Sequence, residues 1–228
     1  MPAGRLIAIG DIHGCLAAFE ALLERIAPGP DDTLVLLGDY VDRGPDTRGV
    51  LDRMLTLRNA CRLVPLMGNH ELMMLQAFED HWTAYEWLES GGRQTLASYG
   101  GKPSAVPAEH LEFIRSCRPF YETDGYFFVH ANYDPQRSLD EQPPILLYWA
   151  HLHVIRPGPH RSGKTAVVGH TPQKTGEVLD LGYLLCLDTY CVGGQWLSAM
   201  EFPSRRLWQV DPEGRERRNT NPVADAGN

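Results

Sequence analysis

Five short apolar runs along this chain each end in a polar motif, and this arrangement constrains the fold more than any other feature of the sequence. Near-continuous apolar runs are typical of strands that are buried on both faces of an α/β sheet. The motifs that follow the runs occupy residues 10–14, 38–44, 68–71, 130–131 and 169–171. Ligands of such sheets bind beyond the carboxyl ends of the strands. If the runs are neighbouring strands, the polar residues of all five motifs should meet at one edge.

The polar residues of these motifs are of the types that bind divalent metal ions. The candidate ligands are Asp11, His13, Asp39, Asn69, His130 and His170. Asp11 and His13 alternate along an extended strand end, so that both can face a first ion, and Asp39 has two oxygens with which to bridge to a second. Nitrogen and oxygen donors without sulfur favour manganese, iron, zinc or nickel over calcium. Two ions roughly 3.5–4 Å apart would hold a hydroxide nucleophile and clamp the phosphoryl oxygens of a substrate.

Three further residues lie beside these ligands in the sequence and suit the chemistry of phosphate transfer. His70 follows Asn69 directly, and a hydrogen bond from Asp42 would orient its imidazole and support the protonated form. His70 is therefore the candidate general acid, a role worth about 10²- to 10⁴-fold in rate. Arg43 can bind phosphate oxygens bidentately, and Asn69 is a second candidate for substrate binding. A single motif of this kind could be a simple turn or a helix N-cap, whereas all five in order indicate a hydrolytic two-metal site.

The length of 228 residues fits one domain, which we place at 1–211. Strand–helix–strand units predict parallel pairing of the first three strands. Helices are predicted over 16–27, between the second and third strands and over 71–79. A helical insert is expected over about 81–119 and an irregular loop over 139–163. Further strands are predicted over 183–188, 196–202 and 207–210. The insert could cover one side of the site. The polar segment 212–228 predicts a disordered tail.

The charge and cysteine content exclude several classes of function. Asp and Glu number 29 against 21 Lys and Arg, and the resulting net charge of −8 argues against nonspecific binding to nucleic acid or anionic membranes. The five cysteines form no Cys-x-x-Cys pair, which indicates reduced thiols. No signal peptide and no run of ~20 apolar residues is visible. We therefore expect a cytoplasmic protein, of unspecified oligomeric state.

The motifs at 10–14, 38–44 and 68–71, with His130 and His170, resemble the phosphoprotein phosphatase family of metallophosphoesterases, in its bacterial branch, over most of residues 5–201. The resemblance implies a calcineurin-like α/β fold in which two packed mixed β-sheets are flanked by α-helices. It implies one ion held by Asp11, His13 and Asp39, and a second held by Asp39, Asn69, His130 and His170. It also implies activation by two divalent ions, manganese in the first place, and hydrolysis without a covalent intermediate.

One position departs from the pattern of this family. Many members have an arginine in the loop between the two histidine strands, where it binds the substrate phosphate together with the signature arginine. Here Ala150 or His151 stands at that place. Arg156 and Arg161, from the same loop, are the candidates to replace it.

These observations leave three functions open. The expected one is a phosphatase acting on phosphoserine or phosphothreonine in proteins, by direct attack of the hydroxide between the ions. The alternative is a symmetrical diadenosine tetraphosphate hydrolase, which shares these signatures and the segment 188–194. Candidate contacts for its nucleotide are Tyr148, Trp149, Arg156, His160 and Arg161. The third is a noncatalytic metal-binding interaction module, which the complete ligand set and the Asp42–His70 pair disfavour.

Overall fold

Two five-stranded mixed sheets form the centre of the computed structural model, which describes residues 4–217. The strands are β1 (Leu6–Ile9), β2 (Thr33–Leu36), β3 (Arg62–Pro65), β4 (Phe120–Glu122), β5 (Tyr126–Val129), β6 (Thr165–Val168), β7 (Leu179–Asp180), β8 (Leu184–Cys186), β9 (Leu197–Phe202) and β10 (Leu207–Val210). The strand order is β10-β9-β1-β2-β3 in the first sheet and β4-β5-β6-β8-β7 in the second.

Helices flank the sheets and connect their parallel strands. They are α1 (Leu16–Ile26), α2 (Thr47–Leu57), α3 (Asn69–Glu79), α4 (His81–Trp87), α5 (Arg93–Ser98), α6 (Ala108–Arg115) and α7 (Pro144–Trp149). A one-turn π-helix, Leu88–Gly92, lies between α4 and α5. Among residues 4–217, no helix is both long and apolar enough to cross a membrane.

The first three strands are parallel, as the strand–helix–strand pattern predicts. Leu6 pairs with Thr33 and Thr33 with Arg62, so that all three strands begin at one level. Helix α1 covers them with an apolar face that includes the buried Phe19 and Leu22. Because parallel strands of equal length end together, the motifs at 10–14, 38–44 and 68–71 emerge at the same edge of the first sheet.

The two histidine runs belong to the second sheet rather than to the first. Strands β5 and β6 are parallel, with Phe127 opposite Ala166. The two sheets are joined through a shared apolar cluster in which Val35 of β2 and Phe128 of β5 have no exposed surface. The five runs are therefore neighbours only within each sheet, and their motifs meet where the carboxyl ends of the two sheets come together. The two-sheet α/β architecture agrees with the fold that the resemblance implies.

Strands β4 and β7 were not predicted, and two further segments differ from the predicted outline. The loop predicted over 139–163 contains helix α7, which escapes prediction because it is short and begins at a proline that follows another proline. Residues 212–217 turn back onto β10, where Glu216 bridges to Val210 and the Arg217 amide donates to the Gln209 carbonyl at 3.0 Å. The remainder of the predicted tail, 218–228, lies outside the described residues. The segment over 81–119 contains helices α4, α5 and α6.

Candidate metal centre

The backbone at the ends of the strands adopts a conformation that side chains normally avoid. Five non-glycine residues of the strand-end motifs have positive φ: His13 (45°), Asp39 (53°), Asp42 (70°), Arg43 (68°) and His170 (61°). Such conformations cost about 1–3 kcal/mol each and gather at functional sites. The surrounding hydrogen bonds must therefore hold these loops in place.

Glu71 is the residue that holds the loop following β2. Its buried carboxylate accepts hydrogen bonds from the amides of Asp39 (2.8 Å), Tyr40 (2.7 Å), Val41 (3.2 Å) and Gly68 (3.0 Å). The bond from the Gly68 amide is the half of a capping box that the residue at the third helical position provides, and glycine has no side chain for the other half. The role of Glu71 therefore carried no complete sequence signature.

The first group of possible ligand atoms consists of His13, Asp39 and His70, whose nitrogens and carboxylate oxygens lie within 4.8 Å of one another. His13 Nδ1 donates to the Val41 carbonyl at 2.8 Å. Its Nε2 therefore carries the lone pair of the ring, which accepts a hydrogen bond from Arg43 Nη1 at 2.8 Å and lies 3.5 Å from Asp39 Oδ2. Burial lowers the pKa of His13 to about 3, against the opposing charge of Asp39. The imidazole is thus neutral and able to bind a metal ion.

Asp11 lies at the border of this arrangement and belongs to neither compact group. Its two carboxylate oxygens accept the amide of His170 at 3.1 and 3.0 Å. Burial, with the nearby charges of Asp188 and Asp39, raises its pKa well above the ordinary value for aspartate. A buried carboxylate beside other carboxylates is costly unless a cation is present. Asp11 therefore suits a ligand role, although its hydrogen bond to His170 also joins the two sheets.

The second group consists of Asp39, His130 and His170, with Asn69 between the imidazoles. Because a carbonyl can only accept, His130 Nδ1 donates to Leu37 at 2.7 Å and His170 Nε2 donates to Trp149 at 3.1 Å. The other ring nitrogens, His130 Nε2 and His170 Nδ1, face Asn69 Oδ1 at 3.0 and 2.9 Å.

Acceptor atoms thus face one another with no proton between them in this second group. His130 Nε2 is also 3.4 Å from Asp39 Oδ1, another acceptor. Burial lowers the pKa of His130, and burial together with the neighbouring His130 lowers the pKa of His170 to about 3. A divalent cation is the partner that such converging lone pairs require, so the residues fit the expected metal ions.

His70 and Asp42 form a fully buried pair beside the ligands. His70 Nδ1 lies 2.8 Å from Asp42 Oδ2. Burial lowers the pKa of His70, but the charge of Asp39 and the hydrogen bond to Asp42 outweigh it, so that the net direction is upward. Asp42 also accepts the indole N–H of Trp87 at 3.0 Å and the hydroxyl of Thr95 at 2.7 Å. The helical insert therefore positions the candidate acid, a role that sequence reasoning did not assign to Trp87 or Thr95.

A cavity of about 260 Å³ opens over this cluster, lined by Asp39, Arg43, Asn69, His70 and His170 among others. Two further spaces adjoin it. A space of about 590 Å³ shares Arg43, Ser90 and Pro172 with it. A space of about 510 Å³ shares Met73, Ser90 and Trp149. The three spaces share Ser90 and form one groove over and beside the candidate metal ligands.

The structure does not bring the two candidate replacement arginines to this groove. Arg156 and Arg161 are exposed, and neither belongs to the lining of the three connected spaces. His151 instead lines the central cavity, with its ring stacked on that of His170 at 4.2 Å between centroids. Sequence reasoning missed Lys174, which lies four residues after His170 and lines the adjoining space.

The aromatic residues predicted to contact a nucleotide lie partly at the groove and partly away from it. Trp149 lines the groove. His160 is buried away from it, where its Nε2 bonds the Arg137 carbonyl at 2.8 Å, and Tyr148 packs against the apolar core. Of these predicted aromatic contacts, Trp149 is the one that the described structure places at the site.

The family assignment follows from the same residues. Residues 4–195 match the family model described as calcineurin-like phosphoesterase, and the chain belongs to this family. The match includes all six candidate metal ligands together with Asp42, Arg43 and His70. The resemblance and the fold expected from the motifs are thereby confirmed.

Curated relatives carry a common name. The symmetrical bis(5'-nucleosyl)-tetraphosphatase of Acidovorax sp. (strain JS42) is 38% identical over 141 residues, which cover 60% of this chain and 47% of the relative. The protein of the same name from Dechloromonas aromatica (strain RCB) is 30% identical over an alignment of 271 positions that covers 90% of this chain and 95% of the relative. The aligned part of this chain spans about half the length of several such relatives.

Solved structures share the fold over nearly the whole chain. A protein crystallised as a candidate diadenosine tetraphosphatase superposes with a TM-score of 0.70 at 24% identity, covering 96% of both chains. A cold-active protein-tyrosine phosphatase of Shewanella sp. superposes with a TM-score of 0.66 at 18% identity, covering 95% of this chain and 82% of that one. At these identities the likeness concerns the fold alone.

Proposed function

We propose that this protein hydrolyses bis(5'-nucleosyl) tetraphosphates at the central phosphoanhydride bond, releasing two nucleoside diphosphates. The observation that carries the proposal is the groove, which extends from the candidate metal ligands into two adjoining spaces. A substrate that is cleaved in its middle needs room for a nucleotide on each side of the reacting phosphorus. The names of the curated relatives support the same substrate class.

Two divalent ions, with manganese as the first candidate, are part of the proposal. The residues proposed to hold them are Asp11, His13, Asp39, Asn69, His130 and His170. When bound, such ions polarise the phosphoryl group and make water a strong nucleophile at neutral pH. Iron, zinc and nickel suit the same donor set.

The residues of the chain supply binding and proton transfer. Arg43 lines both the central cavity and one adjoining space, where its guanidinium can hold phosphate oxygens bidentately. His70 lines the central cavity and is oriented from behind by Asp42, so it can deliver a proton to the departing oxygen. A diphosphate needs that proton less than an alkoxide does, because it is the more stable anion.

The relatives favour this substrate over the phosphoprotein that the sequence analysis placed first. Their names specify nucleotides, and the structural likeness to a yeast protein serine/threonine phosphatase, at 18% identity, concerns the fold alone. The buried Asp42–His70 pair argues against a noncatalytic module, because a site that only binds metal does not require an imidazole oriented by a carboxylate.

Product analysis tests the proposal directly. With manganese and diadenosine tetraphosphate, the protein should produce ADP as the sole nucleotide, and kcat/KM should exceed that for a phosphoserine peptide at least tenfold. The Asp39→Asn variant, prepared identically, controls for contaminating hydrolases. Formation of AMP with ATP would contradict central cleavage, and a preference for the phosphopeptide would restore the protein phosphatase.

A further inference from the structure

The space on the Arg43 side of the groove has an excess of positive charge. Lys174 is exposed on its wall, and within residues 4–217 no carboxylate lies within ion-pairing distance of this lysine. Glu89, the acidic residue of the same wall, forms an ion pair with Arg93. Lys174 therefore faces this space beside Arg43 without an ion pair of its own among the described residues, in a chain whose net charge is −8. Such a wall attracts an anion.

An aromatic ring lies on the same wall. Tyr190 is half-buried and has a left-handed backbone, with φ of 64° and ψ of 44°. Its amide donates to Asp188 Oδ1 at 3.0 Å, and its carbonyl accepts the Gly193 amide at 3.1 Å. The ring passes so close to Gly193 that a Cβ there would lie 2.0 Å from Cε1. The glycine thus provides the room that lets the ring lie against the loop.

We propose that Lys174 and Tyr190 form a subsite for one nucleoside diphosphate half of the substrate. Lys174 binds a phosphate that does not react, and Tyr190 stacks on the base. The cavity places them beyond Arg43, which is shared with the central space over the metal ligands. Lysine binds phosphate through charge-assisted hydrogen bonds. Nucleotide bases stack on aromatic side chains. The subsite rests on the proposed function and deepens it, because it names the side chains that bind one half of the substrate.

The test measures binding of ADP against binding of orthophosphate, both as inhibitors of p-nitrophenyl phosphate hydrolysis by the manganese-loaded protein. Lys174→Gln should raise the Ki for ADP about fivefold more than the Ki for orthophosphate. It should also raise KM for diadenosine tetraphosphate by a similar factor. Lys102→Gln is the matched control, because Lys102 is exposed and outside the groove lining. This control variant should change neither the ratio of the two inhibition constants nor the KM for diadenosine tetraphosphate.

The aromatic half of the subsite has its own pair of variants. Tyr190→Leu should raise the Ki for ADP about fivefold or more, whereas Tyr190→Phe, which keeps the ring, should leave it nearly unchanged. Equal effects of Leu and Phe would overturn the stacking role. An equal rise of the ADP and orthophosphate constants in Lys174→Gln would place Lys174 at the reacting phosphate and overturn the subsite.

The two proposals fail in distinguishable ways. If the wild-type protein makes no ADP from diadenosine tetraphosphate, the proposed function is wrong, and the ADP inhibition constants still decide the subsite. If the tetraphosphate is cleaved to ADP but Lys174→Gln leaves the ratio of inhibition constants unchanged, the function stands and the subsite is wrong.

Discussion

The two ends of the first sheet contain buried carboxylates in opposite situations. At the amino end, Asp32 accepts the backbone amide of Arg5 at 2.7 Å, its guanidinium at 2.6 Å and the amide of Gly29 at 2.9 Å. At the carboxyl end, Asp39 accepts one hydrogen bond, from the His70 amide at 3.2 Å, and its oxygens lie 3.4 and 3.5 Å from imidazole nitrogens that are themselves acceptors. The first carboxylate is satisfied by three donors of the chain, and the second has room for a cation among acceptors. The same scaffold therefore supports a structural ion pair at one end and a binding site at the other.

Asp39→Asn should have the largest effect on activity. The amide keeps the shape of the side chain but loses the charge that lies between His13 and His130. We expect the loss of activity to exceed the roughly 100-fold typical of losing a residue that only supports a ligand. Metal content, measured by inductively coupled plasma mass spectrometry, should fall. In the matched variant Asp11→Asn, the loss should mainly concern one ion. Two equivalents of metal and near-normal turnover in Asp39→Asn would refute the bridging role.

His70→Asn should separate catalysis from metal binding at the carboxyl end. Metal content should stay nearly intact, and kcat for a phosphate ester with a poor alkoxide leaving group should fall about 10²-fold or more. The loss should be smaller for p-nitrophenyl phosphate, because p-nitrophenolate departs without protonation. Equal losses for alkyl and aryl esters would indicate a binding role instead of general acid catalysis.

Glu71→Gln should affect stability and metal affinity together. Its carboxylate accepts four backbone amides, and an amide group in its place would set an N–H against one of these donors. We expect the free energy of unfolding, measured in urea, to fall by about 2–3 kcal/mol. Metal affinity should fall about 10- to 100-fold. Glu79→Gln, an exposed change on the same helix, is the control and should do neither. Normal metal affinity in a destabilised Glu71→Gln protein would reduce Glu71 to a structural role.

Asp32→Asn should have the smallest effect and should leave activity unchanged. Burial opposes ionisation of Asp32, but the hydrogen bonds from Arg5 and Gly29 prevail and lower its pKa to about 2 from 3.8. A depressed pKa adds stability above pH 4 that is lost as the pH falls through 2. The wild-type protein should therefore be roughly 1–2 kcal/mol more stable than the variant at pH 7. Urea titrations at pH 7 and pH 3 should show this difference shrinking in acid, and a constant difference would contradict the ionic origin.

The gathering of the candidate metal ligands could be predicted from the sequence because each follows its strand within a few residues. Asp39 and His130, for example, lie next to runs that are buried whatever their partners are. The support of the site could not be predicted in this way. Thr95 donates to Asp42 across 53 positions and Glu71 accepts the Asp39 amide across 32. No local pattern records contacts at such separations.

The sequence by itself determined the five strands that precede the motifs, the parallel order of the first three and the residue types that gather at the candidate site. These properties depend on side-chain period and on residues that adjoin a strand end, both of which are local. Only the tertiary structure decided that the histidine strands form a second sheet, and that Lys174 rather than Arg156 or Arg161 lies along the groove. The direction of a side chain on an irregular loop is set by what the loop packs against, and that packing exists only in the folded chain.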